Sequence, residues 1–258
     1  MDALTAYAAN VAAAIRASLM DRTNFALNAA GMVVNDLFFL TLWYMFFAGF
    51  KRIGGWGLHD VALLLGILMC IVALSGIAFG GYRDMAASIL RGEIDALLTQ
   101  PKSVLARLLA RESIATAWGD LVIGIWMLCT FAALSWRDIP LVTIGILCGT
   151  AVYVASSVIY ASLAFWFAGA RSFARELTDF MLLFSSYPGS IYTGMTRIVA
   201  YTLLPAGFVV LAPVSFLRSP SVATLAVMLA SALGYTALAA VLFHLGLARY
   251  RRGLVPTG

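Results

Sequence analysis

The chain has 258 residues, 62% hydrophobic and 11% charged, with 17 basic against 12 acidic side chains and a net charge of +5. A soluble domain of this length carries roughly a quarter charged residues to wet its surface, so a mean hydropathy of +0.94 excludes a water-soluble fold and makes lipid the solvent. The basic residues sit in short clusters between apolar runs, the pattern that orients membrane proteins, and this argues against a nucleic-acid surface.

At the start of the chain no basic stretch precedes a compact apolar run, so no cleavable signal is expected. Leu4, Tyr7, Val11, Ile15 and Leu19 recur every three or four residues, with Asp2, Thr5, Asn10 and Arg16 mostly opposite. Residues 1–22 are therefore expected to form an amphipathic helix lying along the membrane surface. About 20 apolar residues cross a hydrocarbon core. Runs of that kind place spans at about 24–50, 61–82, 113–136, 141–170, 178–196 and 221–248. The stretch before the last span is broken by Pro188, Gly189, Pro205 and Pro213 and carries Arg197. It reads as one span followed by a re-entrant external segment at 197–218, because broken helices at membrane depth need protein or a water cavity to cover them. Six crossings put both termini in the cytoplasm and leave only Lys51, Arg52, Arg137, Arg197 and Arg218 outside. A seventh crossing would force Arg249, Arg251 and Arg252 outward and weaken that bias. The expected fold is all-α, with six transmembrane helices in a single domain and no internal repeat.

The one substantial cytoplasmic segment spans 83–112. Within it Gly92 and Pro101 punctuate a helix of about two turns, with Glu93 and Asp95 at the end where the helix dipole favours negative charge. Ile94, Leu97 and Leu98 would line one face of it, and Val104, Leu105, Leu108 and Leu109 one face of a second amphipathic helix. Such an element is either a solvated loop or a docking helix for a cytoplasmic partner.

The run Gly92-Glu93-Ile94-Asp95-Ala96-Leu97-Leu98-Thr99-Gln100-Pro101 resembles the segment after the second span in membrane subunits of ABC-2 type transporters. Ser186-Tyr187-Pro188 in the fifth span and the broken segment before the last agree with it. The resemblance implies a type V exporter-like architecture and a permease that dimerises with a like or related permease. Each permease would dock on an ATP-binding subunit, which holds the ATP and magnesium. It also implies a coupling helix at about Gly92 to Gln100, bordered by Arg91 and Pro101, with Glu93, Ile94, Asp95, Leu97, Leu98 and Thr99 among the residues that meet the ATPase, and that drugs, lipids or glycan precursors are exported. The sequence adds a reason of its own for a partner ATPase. A nucleotide-cradling loop needs a Gly-Lys pair, and the only lysines, Lys51 and Lys102, follow Phe50 and Pro101.

A charge in mid-span is costly unless it is paired or faces water, so Asp36 is a candidate pathway residue, together with Tyr187 and Pro188. The alternative for Asp36 is a structural pairing with Asn35 or another helix, and for Asp120 an anchoring role at the cytoplasmic interface. His59 and His244 have no neighbours at metal-ligand spacing. The pairs Gly76/Gly80 and Gly145/Gly149 allow close helix approach, within the subunit or between subunits. An ion- or proton-coupled transporter or channel using Asp36 is the rival reading. An intramembrane enzyme would need a nucleophile with a base, or a carboxylate-metal cluster, and no such constellation is seen.

Overall fold

The computed structural model describes residues 3–50, 52, 54–99, 102–132 and 134–253. Among them every regular element is helical. Four helical stretches are long and apolar enough to cross a membrane: Arg22–Gly49, Leu58–Leu90, Trp136–Phe165 and Val222–Arg251. The chain is a multi-pass membrane protein.

Helix α1 (Ala3–Ser18) is tied to the bundle by the Tyr7 hydroxyl, which donates to the Ala78 carbonyl at 2.9 Å. Helix α2 (Arg22–Gly49) opens on Asp21, whose carboxylate accepts from the Asn24 amide at 2.9 Å and satisfies a free helix-end donor. Its 28 residues span about 42 Å at about 1.5 Å per residue. Helix α3 (Leu58–Phe79) continues as a 3-10 turn to Tyr82. It is the centre of the bundle: 83% of its apolar window is buried inside the chain, against 6% for α2. The connection to the next long helix holds α4 (Met85–Leu90), α5 (Asp95–Leu98) and α6 (Val104–Leu109).

Helix α7 (Thr116–Thr130) has only 15 residues but follows α3 from end to end, antiparallel to it. The Ile114 amide donates to Gly76 at one end, and His59 meets the Phe131 carbonyl at 2.6 Å at the other. Helix α8 (Ile139–Ser162) ends in a 3-10 turn at Phe165, so the charge-free run 141–170 is not one helix. Its tail, from Trp166, is the turn into α9 (Ala170–Ser185). This helix also corrects the fifth expected span at 178–196: it begins at Ala170 and takes in Arg171, Arg175, Glu176 and Asp179 on one side of an amphipathic surface.

The expected segment 197–218 is two helical pieces. The first, α10 (Gly194–Tyr201), begins inside the expected span. After Pro205 a π-helical turn, Gly207–Leu211, runs into α11 (Ala212–Arg218). The second piece leans on α8, and between the two pieces Tyr160 of α8 donates to the Leu203 carbonyl at 2.6 Å. Last comes α12 (Val222–Arg251), which packs along α8 and turns most of its surface outward.

The two glycine pairs serve packing inside the chain. A Cβ on Gly76 would lie 2.6 Å from the Ala117 Cβ, and one on Gly80 2.6 Å from the Glu112 carbonyl, so this pair seats α7 and its approach against α3. Gly145 meets Pro213, and Gly149 meets the Val209 carbonyl and Ile71, so the second pair seats the broken segment against α8. On the side of the α2–α3 loop, Arg218 closes the structure. Its guanidinium pairs with Asp60 at 2.7 Å and stacks over Trp56 at 3.9 Å.

Candidate functional site

The connection between α3 and α7 is built as a braced unit. Helix α4 ends where Gly92 turns left-handed at φ +72. The Gly92 amide then donates to Ile89 and the Glu93 amide to Ser88, a pair of bonds that satisfies the last carbonyls of the helix. This reversal directs the Glu93 side chain between two arginines. Arg91 Nε donates to Glu93 Oε1 at 2.6 Å, and Arg111, from beyond α6, donates to Glu93 Oε2 at 3.1 Å and to Ser88 Oγ at 2.7 Å. Charge-assisted bonds of this kind are the stronger class. Arg91, then the Ser88 hydroxyl and Arg111, hold the Glu93 carboxyl down at about 2, below its ordinary 4.5. One carboxylate therefore ties the start of the segment to its end.

Beneath that ionic bridge lies an apolar floor. Ile94 is fully buried, with Met85, Ile89 and Leu108. This corrects the expected docking stripe: Ile94 belongs to the interior and is closed to a partner. Leu97 and Leu98 are half-buried against the same core, while Asp95, Ala96 and Thr99 face outward. The helix is also shorter than expected, one turn at Asp95–Leu98, because Glu93 is spent on the turn and its ion pairs. Gln100 and Pro101 lie outside the described residues. Ser103 opens α6 by accepting from the Ala106 amide.

Two distant elements reach the unit. Helix α1 touches α6 as well as α3. From α12, the Tyr250 hydroxyl approaches the Asp95 carboxylate, and its ring packs edge-on against Phe165. Sequence reasoning missed this contact, since the residues are far apart in the chain and Tyr250 sits among arginines that read as a terminal anchor.

The candidate pathway residues do not converge. Asp36 is buried and turns to α7, where its carboxyl faces that of Asp120, also buried, within hydrogen-bonding reach. A hydrogen bond between two carboxyl groups needs a proton on one of them. Asp36 Oδ2 is left without a partner. Asn35, beside it on α2, is its other neighbour, and the meeting with Asp120 of α7 is an interhelical polar contact. Tyr187 stands farther along, 6.0 Å from the Trp43 ring, with Pro188 beginning the turn that leads to α10. Among the described residues no three His, Cys, Asp or Glu side chains gather as a metal site.

Comparison with curated proteins and comparison with solved structures give no match. A family model described as ABC-2 family transporter protein matches residues 31–253, which takes in all four long apolar stretches except the first turns of α2, and the whole connection between α3 and α7. The chain belongs to the ABC-2 transporter family.

Proposed function

We propose that this chain is the membrane-spanning permease subunit of an ATP-binding cassette exporter, moving a drug-, lipid- or glycan-like substrate outward with energy from a separate ATPase subunit. The observation that carries the reading is the braced connection between α3 and α7. It presents a short outward face, Asp95, Ala96 and Thr99, on a unit fixed at once to α3, α7 and α12. A push on that face is shared by three helices, which is what a motor on another chain requires.

Two further helices support six crossings. Helix α7 matches α3 along its length. Helix α9 begins beside α4, and its continuation reaches Ser190, where a Cβ on Gly54 would lie 2.5 Å from the Ser190 hydroxyl. With the four long stretches these make six, and both termini then share the side of the α3–α7 connection. The basic clusters favour the cytoplasm for that side, and the membrane we propose is a bacterial inner membrane. Helices α10 and α11, the latter leaning on α8, form a segment that re-enters from outside. The unburied surface of α2 suits a second permease or lipid. ATP and magnesium are held by the partner.

The test is ATP hydrolysis by a co-purified ATP-binding subunit. Ala96→Asp, at an exposed position, and Leu97→Asp and Leu98→Asp, at half-buried ones, are expected to abolish stimulated hydrolysis while the protein still inserts. Unchanged stimulation in all three removes the reading. The buried Asp36–Asp120 contact favours one second reading, a proton-coupled transporter acting alone. It predicts pH-dependent transport by the purified chain in liposomes without any ATPase, lost in Asp36→Asn.

A further inference from the structure

Helix α2 is the least buried of the four long apolar stretches, and its contacts with the rest of the chain are chiefly with α7. The two helices share one seam. At its start the Phe25 ring lies 6.2 Å from Trp118. Gly119 then brings the backbones together: a Cβ there would lie 2.5 Å from the Ala29 carbonyl and 2.9 Å from the Met32 Cβ. Next along the seam Asp36 meets Asp120, both buried. Beyond them the helices part, and a cavity of about 230 Å³ opens between α2, α3 and α7, lined in part by Leu37, Leu40, Thr41, Trp126, Met127 and Phe131. The carboxyl pair thus stands where the close packing ends.

The charges around this pair balance at one proton. Arg83, at the end of α3, stands beside Asp120. Helix α7 carries no other charged side chain, and α2 only Arg22, about 21 Å back at about 1.5 Å per residue. On α3, His59 and Asp60 sit at the opposite end, taken up by the Phe131 carbonyl and by Arg218. Past Arg83 come Tyr82 and Tyr153, with Asp179 beyond. Arg83 is itself exposed. It lines a cavity of about 240 Å³ where the end of α3 meets α8 and α9, together with Tyr153, Arg171, Arg175 and Asp179. Asp179 has two arginines of its own there, which leaves Arg83 to Asp120. One guanidinium neutralises one carboxylate, so the buried pair is neutral overall when it holds a single proton. That proton is also what a hydrogen bond between two carboxyls requires. Without it two carboxylates face each other across the seam, a costly arrangement at this depth.

We propose that Asp36 and Asp120 form a one-proton latch between α2 and α7. It is closed while the carboxyls share a proton. It opens as pH rises, when that proton leaves to solvent on the Arg83 side and the like charges push the helices apart beyond Gly119. The latch rests on neither functional reading given above: it needs no ATPase, and no proton has to cross the membrane.

The experiment measures the α2–α7 distance in the full chain, alone in phosphatidylcholine nanodiscs, by electron–electron double resonance between spin labels at Met45→Cys and Ile125→Cys. Both positions are exposed and lie past the carboxyl pair. Cys129→Ser removes the exposed native thiol, while Cys70 and Cys148 are buried. From about pH 5 to about pH 9 the otherwise wild-type protein is expected to gain a longer distance. Its ratio to the short one should rise by up to about tenfold per pH unit, the slope of one proton. Asp36→Asn and Asp120→Asn each leave one carboxylate for Arg83 and put an amide donor in place of the proton, so both should keep the short distance throughout. Arg83→Gln removes the balancing charge and is expected to move the opening to higher pH. One distance at every pH in the otherwise wild-type protein overturns the proposal, as does an unchanged response in both asparagine variants. An opening that Arg83→Gln leaves in place also overturns it, because the charge balance would then lie elsewhere.

Discussion

Replacing Gly92 with alanine isolates what the left-handed turn contributes to the α3–α7 connection. Space is not the obstacle. A Cβ at this position would sit 3.5 Å from the Tyr250 hydroxyl and 3.7 Å from Asp95 Oδ2, both ordinary contacts. The cost is therefore conformational: φ +72 puts an alanine in a region that disfavours L-residues by about 1–2 kcal/mol. The smaller entropy of alanine in the unfolded chain returns about 0.4–1 kcal/mol. The net is about 1 kcal/mol, or about a fivefold rise in the open population of the turn. Asparagine, which tolerates this region, is expected to fall between glycine and alanine. Hydrogen exchange reads the effect directly, because the Gly92 and Glu93 amides donate to Ile89 and Ser88. Their protection is expected to drop about fivefold in Gly92→Ala, with protection in the middle of α3 unchanged. Equal protection in the glycine, asparagine and alanine proteins would refute the argument that this turn holds the segment together.

Three further outcomes are expected. The Glu93 carboxyl is held at about 2 against an ordinary 4.5, so its contribution to the order of the segment is fully present above about 4.5 and fades as pH falls from there toward 2. Exchange in residues 88–99, corrected for its intrinsic pH dependence, should then be flat near neutrality, rise only in acid, and lose that acid rise in Glu93→Gln. Asp36→Leu leaves the Asp120 carboxyl buried without its partner and is expected to cost about 1–3 kcal/mol in detergent unfolding. Asp36→Asn should be nearly neutral, and Asp36→Leu combined with Asp120→Leu should recover part of the loss. Gly149→Leu drives a side chain into Ile71 and the Val209 carbonyl, so folded yield should fall while the oligomeric state of the surviving protein is unchanged.

The long apolar helices were legible because hydropathy sums over many residues. The run expected at 24–50 is α2 at Arg22–Gly49, and that at 221–248 is α12 at Val222–Arg251. Hydropathy failed at α9 for the same reason. Arg171, Arg175 and Asp179 lower the average, yet one helix carries them on the side facing the α8 cavity. In the α3–α7 connection the residues were legible but their directions were not. Ile94, Leu97 and Leu98 have helical spacing, but the Gly92 reversal starts α5 only at Asp95 and leaves Ile94 pointing inward. The sequence carried no signal for Tyr250 beside Asp95, or for Arg218 between Asp60 and Trp56. Such pairs exist only once distant helices have been packed, and a lone tyrosine or arginine near a helix end has many local explanations.

The meeting of Asp36 with Asp120 also constrains how the protein is made. During synthesis α2 reaches the bilayer before α7, carrying a carboxyl whose eventual neighbour has not yet been translated. Until α7 follows, that acid must stay protonated, keep near the headgroups, or shelter in the insertion machinery. Of the four long apolar stretches α2 is also the least buried in its own chain, so it can shift depth while it waits. Docking of α7 then ends the wait, and α2 finds its final depth only after its later-made partner has arrived.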